Sequence, residues 1–390
     1  MKIAIITSGR LPVPATKGGA VETKLDYILD YNARHHIMDI TVYSVKPDKD
    51  IDKSTPENHY VFYSLHSLWA RLRMKIFRKT HTCLFYDHHI EYFLHRCIDD
   101  IRKKTYDCVL LLNRPGYVLT LRDQLRSKII IQIDNDYLNP KVYRVKEIMQ
   151  TCSMVITCSD YLSSRARQVE CDDNIPIVTV HNGIDIGSFI NAKPLSRVSA
   201  GLSDDDFVVV YSGRLIKEKG IIELIKAIKL IQSTIPSLKL IILGASFYGS
   251  DKQATPFMQL LEKEAEPVKE KVKFTGYINY DQMPSYLKLA DIAVVPSMWE
   301  EPFGLTVVEA MAAGLPLITT RSGGIPEICE GAAVIVERDG IVSHLADAIT
   351  DLYHHSDKRK QLSTSALQRA KSFDKEAYAK KFLETIMEGK

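Results

Sequence analysis

Short β-branched runs alternate with stretches whose apolar residues recur three and four positions apart, and no other feature constrains the fold of this 390-residue chain as much. "KIAIIT" reads as a first strand, and Val21, Leu25, Ile28 and Leu29 follow at helical spacing. "DITVYS", "CVLLL", "KIIIQI", "MVITCS" and "IVTVHNG" continue the first half. "FVVVYSG" restarts the cycle and leads into a helix with Ile221, Leu224, Ile225, Ile228 and Ile231 on one face. "LKLIILG", "KVKFTG", "IAVVPS", "LPLITT" and "AAVIVE" are the later strands. Such alternation implies parallel sheets built from βαβ units. The chain exceeds what one core sustains, and the polar, turn-rich residues 183–206 read as a linker between two halves. The expected fold class is therefore α/β, with two doubly wound Rossmann-like domains facing each other across a cleft.

Composition removes several function classes. A formal net charge of +3 gives no global drive towards nucleic acid. Seven cysteines occur without a CxxC pair, a pattern of reduced thiols in a cytosolic compartment. "MKIAIITSGR" reads as a strand and not as a signal peptide, and no apolar run reaches the length of a membrane span. The expected location is cytoplasmic. No GxGxxG follows either opening strand, so the usual dinucleotide fingerprint is missing.

In open parallel sheets ligands bind beyond the carboxyl ends of the strands. After "FVVVYSG", Arg214 and Lys219 lie five apart in a loop that opens onto a helix. Two cations beside free backbone N–H groups suit a diphosphate, and a solvated charged loop has the same composition. "SMWEEPFGLTVVEAMAAGLP" places Glu301 ahead of Phe303 and Gly304, with Glu309 in the helix that follows. Gly304 permits close backbone approach, and the N–H groups of Leu305 and Thr306 stand at the helix start. Carboxylates there accept from vicinal sugar hydroxyls, or else they merely favour the positive end of the helix dipole.

Taken together, "GRLIKEKG", "EPFGLTVVEAMAAGLP" and "SGGIPEI" resemble, in order and spacing, the donor-site signatures of the retaining nucleotide-sugar glycosyltransferases of family four, which have the GT-B fold. "GRLPVPATKGGAVE", "NRPGYV" and "VHNGID" extend the resemblance through the first half, towards spore-coat and surface-polysaccharide enzymes. The resemblance implies that Arg214 and Lys219 hold the donor diphosphate and that Glu301 accepts from the transferred sugar. Phe303, Gly304 and Leu305 would present backbone, Glu309 would bind the ribose, and the base would lie near Tyr277 and Ile278. Gly18 and Gly19 would close on the diphosphate from the first domain. The domains implied are 1–190 with a C-terminal helix, 373–390, crossing back, and 191–372.

"KIIIQIDNDYLNP" ends an apolar run on Asp134-Asn135-Asp136. Metal-holding Asp-x-Asp motifs belong to a different glycosyltransferase fold, and the resemblance places a His where this chain has Asp134. The expectation is a residue on the catalytic face, no metal and no cofactor. Asp134 either accepts from a sugar hydroxyl or stabilises charge at the anomeric carbon, or it caps the turn after its strand. Asn113 and Arg114, after "CVLLL", are expected to face an acceptor. His88, His89, His95 and Cys97 fit no common metal spacing and read as partly buried helix residues.

Residues 67–81, "SLWARLRMKIFRKTH", carry Arg71, Arg73, Lys75, Arg78 and Lys79 and no acidic residue. The stretch fits peripheral contact with anionic lipid at the inner face of a membrane, or an ordinary amphipathic helix. The implied activity is retaining transfer of a hexose from a nucleotide-diphosphate sugar, UDP-linked by family preference, to a saccharide or lipid-linked saccharide, in surface polysaccharide or glycoconjugate synthesis. Two rivals remain at this point: a nucleotide-sugar epimerase on the same fold, and an inert coat or scaffold protein that retains it.

Overall fold

The computed structural model describes residues 1–48, 53–65, 67–171, 175–245 and 255–389. It divides into two compact units, Met1–Gly183 with Lys375–Lys390, and Ile184–Asp374.

The first unit holds a parallel sheet of seven strands, ordered β3-β2-β1-β4-β5-β6-β7. In chain order these are β1 Lys2–Ile6, β2 Asp39–Val45, β3 Asn58–Tyr63, β4 Cys108–Leu112, β5 Lys128–Ile133, β6 Met154–Thr157 and β7 Ile177–Thr179. Both faces are covered, which is why the central strands are apolar at consecutive positions. Ala4 and Ile6 of β1 pack with Val109, Leu111 and the helix His88–Ile101 on one face. Ile3 and Ile5 pack on the other with Leu25, Ile28 and Leu29 of the helix Ala20–His35. Tyr378, Phe382, Leu383 and Ile386 of the last helix, Lys375–Glu388, join that second layer, and Arg34 bonds both carboxylate oxygens of Glu376 at 2.7 Å.

The second unit holds six parallel strands in the order β10-β9-β8-β11-β12-β13. They are β8 Phe207–Ser212, β9 Leu238–Leu243, β10 Val272–Gly276, β11 Ile292–Val295, β12 Leu317–Thr320 and β13 Val334–Val336. The helix Ile221–Ile231 buries the expected face against them.

Three expectations need correction. The first domain, expected to run to residue 190, ends at Gly183, and residues 183–206, expected as a linker, do not form one. The helix Ile186–Ile190 instead packs in the second unit, where the Phe189 ring meets Tyr280 at 6.1 Å and Ile184 N–H bonds Phe373 O at 2.9 Å. Leu202 is buried, and Arg197 reaches Asp291 at 3.1 Å, so the supposed linker is seated structure. Finally, β3 is absent from the strands read off the sequence. Its "NHYVFY" pairs with β2 alone at the sheet edge, and its mixed polar and aromatic run lacks the continuous apolar signal of the central strands.

Candidate active site

In the second unit the strand order reverses between β8 and β11, the switch point at which an open parallel sheet takes its ligands. Two loops flank it, 213–220 after β8 and 296–304 after β11. Backbone contacts tie them: Met298 N–H bonds Glu218 O at 2.8 Å. Gly220 stands at φ +70°, and a Cβ there would fall 1.9 Å from Pro296 O, so only glycine lets the first loop close on the second. The third motif loop locks the assembly from the far side. Gly324 N–H bonds Glu301 O at 2.8 Å, Gly323 N–H bonds the Glu300 carboxylate at 2.6 Å, and a Cβ on Gly323 would lie 2.2 Å from Glu301 O. The three sequence motifs are thus one piece of packed backbone.

That backbone brings Lys219 and Glu301 together. The buried Glu301 carboxylate pairs with the Lys219 ammonium through Oε1, which also accepts from Ser297 Oγ at 2.7 Å. Lys219 Nζ lies 5.5 Å from the centroid of the Trp299 ring, whose buried Nε1–H has no hydrogen-bond partner among the described residues. Arg214 is exposed; its carbonyl accepts from Tyr211 at 2.9 Å, and its guanidinium makes no ion pair among the described residues. Gly304 caps the helix Leu305–Ala312, so the N–H groups of Leu305 and Thr306 head it, while the Phe303 side chain is buried 5.8 Å from Phe373. Glu309 is buried on that helix, and burial pushes its carboxyl up to about 7 against a hydrogen bond from Tyr280 that pulls it down. Tyr277 and Ile278 directly follow β10, with Tyr277 exposed.

In the first unit the switch point falls between β1 and β4. Gly18 and Gly19 precede the helix Ala20–His35; a Cβ at Gly18 would meet nothing within 4 Å, whereas one at Gly19 would lie 2.3 Å from Glu22 Oε2. From that helix the buried Lys24 ammonium bonds Asp134 Oδ1 beyond β5 and Asn182 Oδ1 beyond β7. Asp134 Oδ2 is buried and has no partner among the described residues. Asp136 pairs with Arg165 at 3.1 Å, so each carboxylate of the Asp-x-Asp faces its own cation. Beside them Glu22 accepts from Ser8 Oγ at 3.2 Å, and burial pushes its carboxyl up.

Asn113 and Arg114 differ from expectation. Both are buried. Asn113, at φ +56°, accepts the Asp134 N–H at 3.2 Å, while Arg114 Nε donates to Ser8 O at 3.2 Å and Nη1 donates to Asn113 O at 3.1 Å. They tie strand-end loops together and do not present an open face to an acceptor.

Sequence reasoning missed Ser297, Trp299, Lys24 and Asn182. Lys24 carried a signal: it sits three residues after Val21 and four before Ile28, within the apolar face of its helix.

Two Rossmann-like units, with a cation, a carboxylate and a helix N-terminus at the switch point of the second, have the architecture of the GT-B fold. Residues 192–369, somewhat under half of the chain, match the family model described as glycosyl transferases group 1. The chain is similar to the putative glycosyltransferase YtcC of Bacillus subtilis, 26% identical over 99% of this chain and 91% of the relative. It is equally similar to the spore coat protein SA of the same organism, 26% identical over 95% of each. Among solved structures, Anabaena HepE in complex with UDP superposes with a TM-score of 0.73 at 18% identity over 100% of both chains. The sucrose-phosphate synthase of Thermosynechococcus elongatus does so at 0.75 and 19% over 100% of this chain and 99% of that one.

Proposed function

We propose that the protein transfers a hexose from a nucleotide-diphosphate sugar, UDP-linked by preference, to a saccharide or lipid-linked saccharide with retention of anomeric configuration, in the synthesis of a surface polysaccharide or glycoconjugate. The reading rests on one observation above the others: Lys219, Glu301 and the N-terminus of Leu305–Ala312 converge at the switch point of the second unit. A cation and free N–H groups favour phosphate, and a buried carboxylate favours hydroxyl donors. Structures of HepE with UDP and with UDP and glucose support the nucleotide.

In this reading Lys219, Arg214 and the amides of Leu305 and Thr306 hold the diphosphate, with Phe303 and Gly304 shaping the backbone around it. Glu301 accepts from the transferred sugar, Glu309 accepts from the ribose hydroxyls, and Tyr277 and Ile278 flank the base. The bond from the anomeric carbon to the diphosphate oxygen breaks, the acceptor oxygen bonds to the same face, and the acceptor proton passes to the departing phosphate oxygen. Lys219 and the amides stabilise the charge that develops there, which is preorganised electrostatic catalysis without a metal.

A screen of UDP- and GDP-hexoses with oligosaccharide acceptors, following released nucleotide and the anomer formed by NMR, tests this. Acceptor-dependent release with an α-linked product from an α-linked donor is expected. Release from no donor, or an inverted product, would overturn it.

A further inference from the structure

The helix Leu68–Thr80 turns four large apolar side chains outward. Ser67 caps it, accepting the Ala70 N–H at 3.2 Å, and it sits on the first unit through Ala70, Met74 and Phe77, which share one face. On the opposite face Leu68, Trp69, Leu72 and Ile76 fall within an arc of about 100°. They are 83%, 75%, 51% and 57% exposed. Arg71, Lys75 and Arg78 border the stripe on one side and Arg73 on the other, with Lys79 near its end, and all five are exposed. A surface helix normally buries its apolar stripe and shows its charges. Here the smaller set of apolar residues serves the core and the larger set is left in water, which an isolated soluble domain gains nothing by.

Beside the stripe lies a cavity of ≈ 190 Å³ whose lining includes Tyr63, Ser67, Trp69, Arg73, Tyr92 and Arg96 and no carboxylate among the described residues. The Arg96 guanidinium stands 5.4 Å from the Tyr63 ring centroid. Two guanidiniums beside hydroxyl donors suit a phosphate.

We propose that this helix docks the first unit on an anionic phospholipid surface. Leu68, Trp69, Leu72 and Ile76 enter the boundary between headgroups and acyl chains, the flanking cations lie over the headgroups, and one lipid phosphate occupies the cavity between Arg73 and Arg96. Apolar residues framed by cations are the pattern of a helix lying in a membrane interface. A second copy of the chain fits less well, because an isologous contact would bring two five-cation helices together.

Co-sedimentation of the full chain with phosphatidylcholine vesicles, with and without phosphatidylglycerol, tests the proposal. Binding to the anionic vesicles is expected at low salt, at least about tenfold tighter than to neutral ones and weakened by salt. Leu68→Ser/Trp69→Ser/Leu72→Ser is expected to weaken binding at least about tenfold with an unchanged melting temperature, since these side chains are exposed. Arg73→Gln/Arg96→Gln is expected to lose more than Arg71→Gln/Lys79→Gln, for which each charge counts about fivefold. No binding to anionic vesicles at low salt, or equal binding by the triple variant, would overturn the docking surface. Equal losses from the two charge variants would overturn the headgroup cavity. Self-association without lipid that the triple variant abolishes would assign the stripe to a second copy instead.

Discussion

Lys24 and Asp134, 110 residues apart, form an ion pair almost sealed from solvent, and the same ammonium also bonds Asn182. A carboxylate at this position accepts hydrogen bonds only, whereas the His expected from the family resemblance could donate. Lys24 supplies the opposite charge, so the pair as a whole is neutral.

Because the pair is buried, removing one partner strands the other. Lys24→Met and Asp134→Asn are each expected to cost about 3–5 kcal/mol in urea unfolding. The double variant should lose clearly less than the sum, giving a coupling of about 1–3 kcal/mol. Additive losses would show that the two groups do not act as a pair.

Lys219 is expected to matter to turnover well beyond its effect on binding. Lys219→Ala should lower kcat about 10²–10³-fold at saturating donor, measured as nucleotide release. It should also lower the melting temperature, since Glu301 is left buried without its cation. A kcat within twofold of wild type would remove Lys219 from the chemistry.

Glu309 predicts a pH dependence with a definite sign. Its carboxyl rises from 4.5 to about 7 on folding, so the folded state holds the proton across that window. Its contribution to stability therefore falls as pH rises from about 4.5 to about 7, because the unfolded chain ionises first. Nucleotide affinity should change in the opposite direction. Ribose hydroxyls donate to the ionised carboxylate, so UDP binding by calorimetry should tighten with pH up to about 7 and level off above. The titration of UDP itself is common to every variant, so the part of the slope that disappears in Glu309→Gln belongs to this residue. Identical profiles for variant and wild type would contradict the role.

Gly323→Ala tests the locking of the motif loops. The new Cβ meets Glu301 O at 2.2 Å with φ at +52°, so a loss of about 1–3 kcal/mol is expected. The KM for the donor should rise as Glu301 shifts. An unchanged melting temperature and KM would mean that the loops are not rigidly coupled.

The second unit was the more legible half of the sequence. Apart from Tyr277 and Ile278, its expected donor-site residues lie in short motifs at strand ends, and backbone packing joins those motifs, as at Gly220 against Pro296 and Gly323 against Glu301. All six of its strands are short runs rich in β-branched and other apolar residues. The first unit hid more, because its key contacts are side-chain bonds that no local pattern marks. Nothing near Asp134 in sequence announces Lys24, and nothing in "NRPGYV" shows that Arg114 turns inward to Ser8. In Leu68–Thr80 the period was readable but the orientation was not, since both faces of that helix are apolar and only packing chooses which one is buried.

A crystal structure with bound UDP tests the central claim most directly. The diphosphate should lie against Lys219 and the N–H groups of Leu305 and Thr306, with the ribose hydroxyls on the Glu309 carboxylate. UDP bound away from both Lys219 and Glu309 would contradict the account.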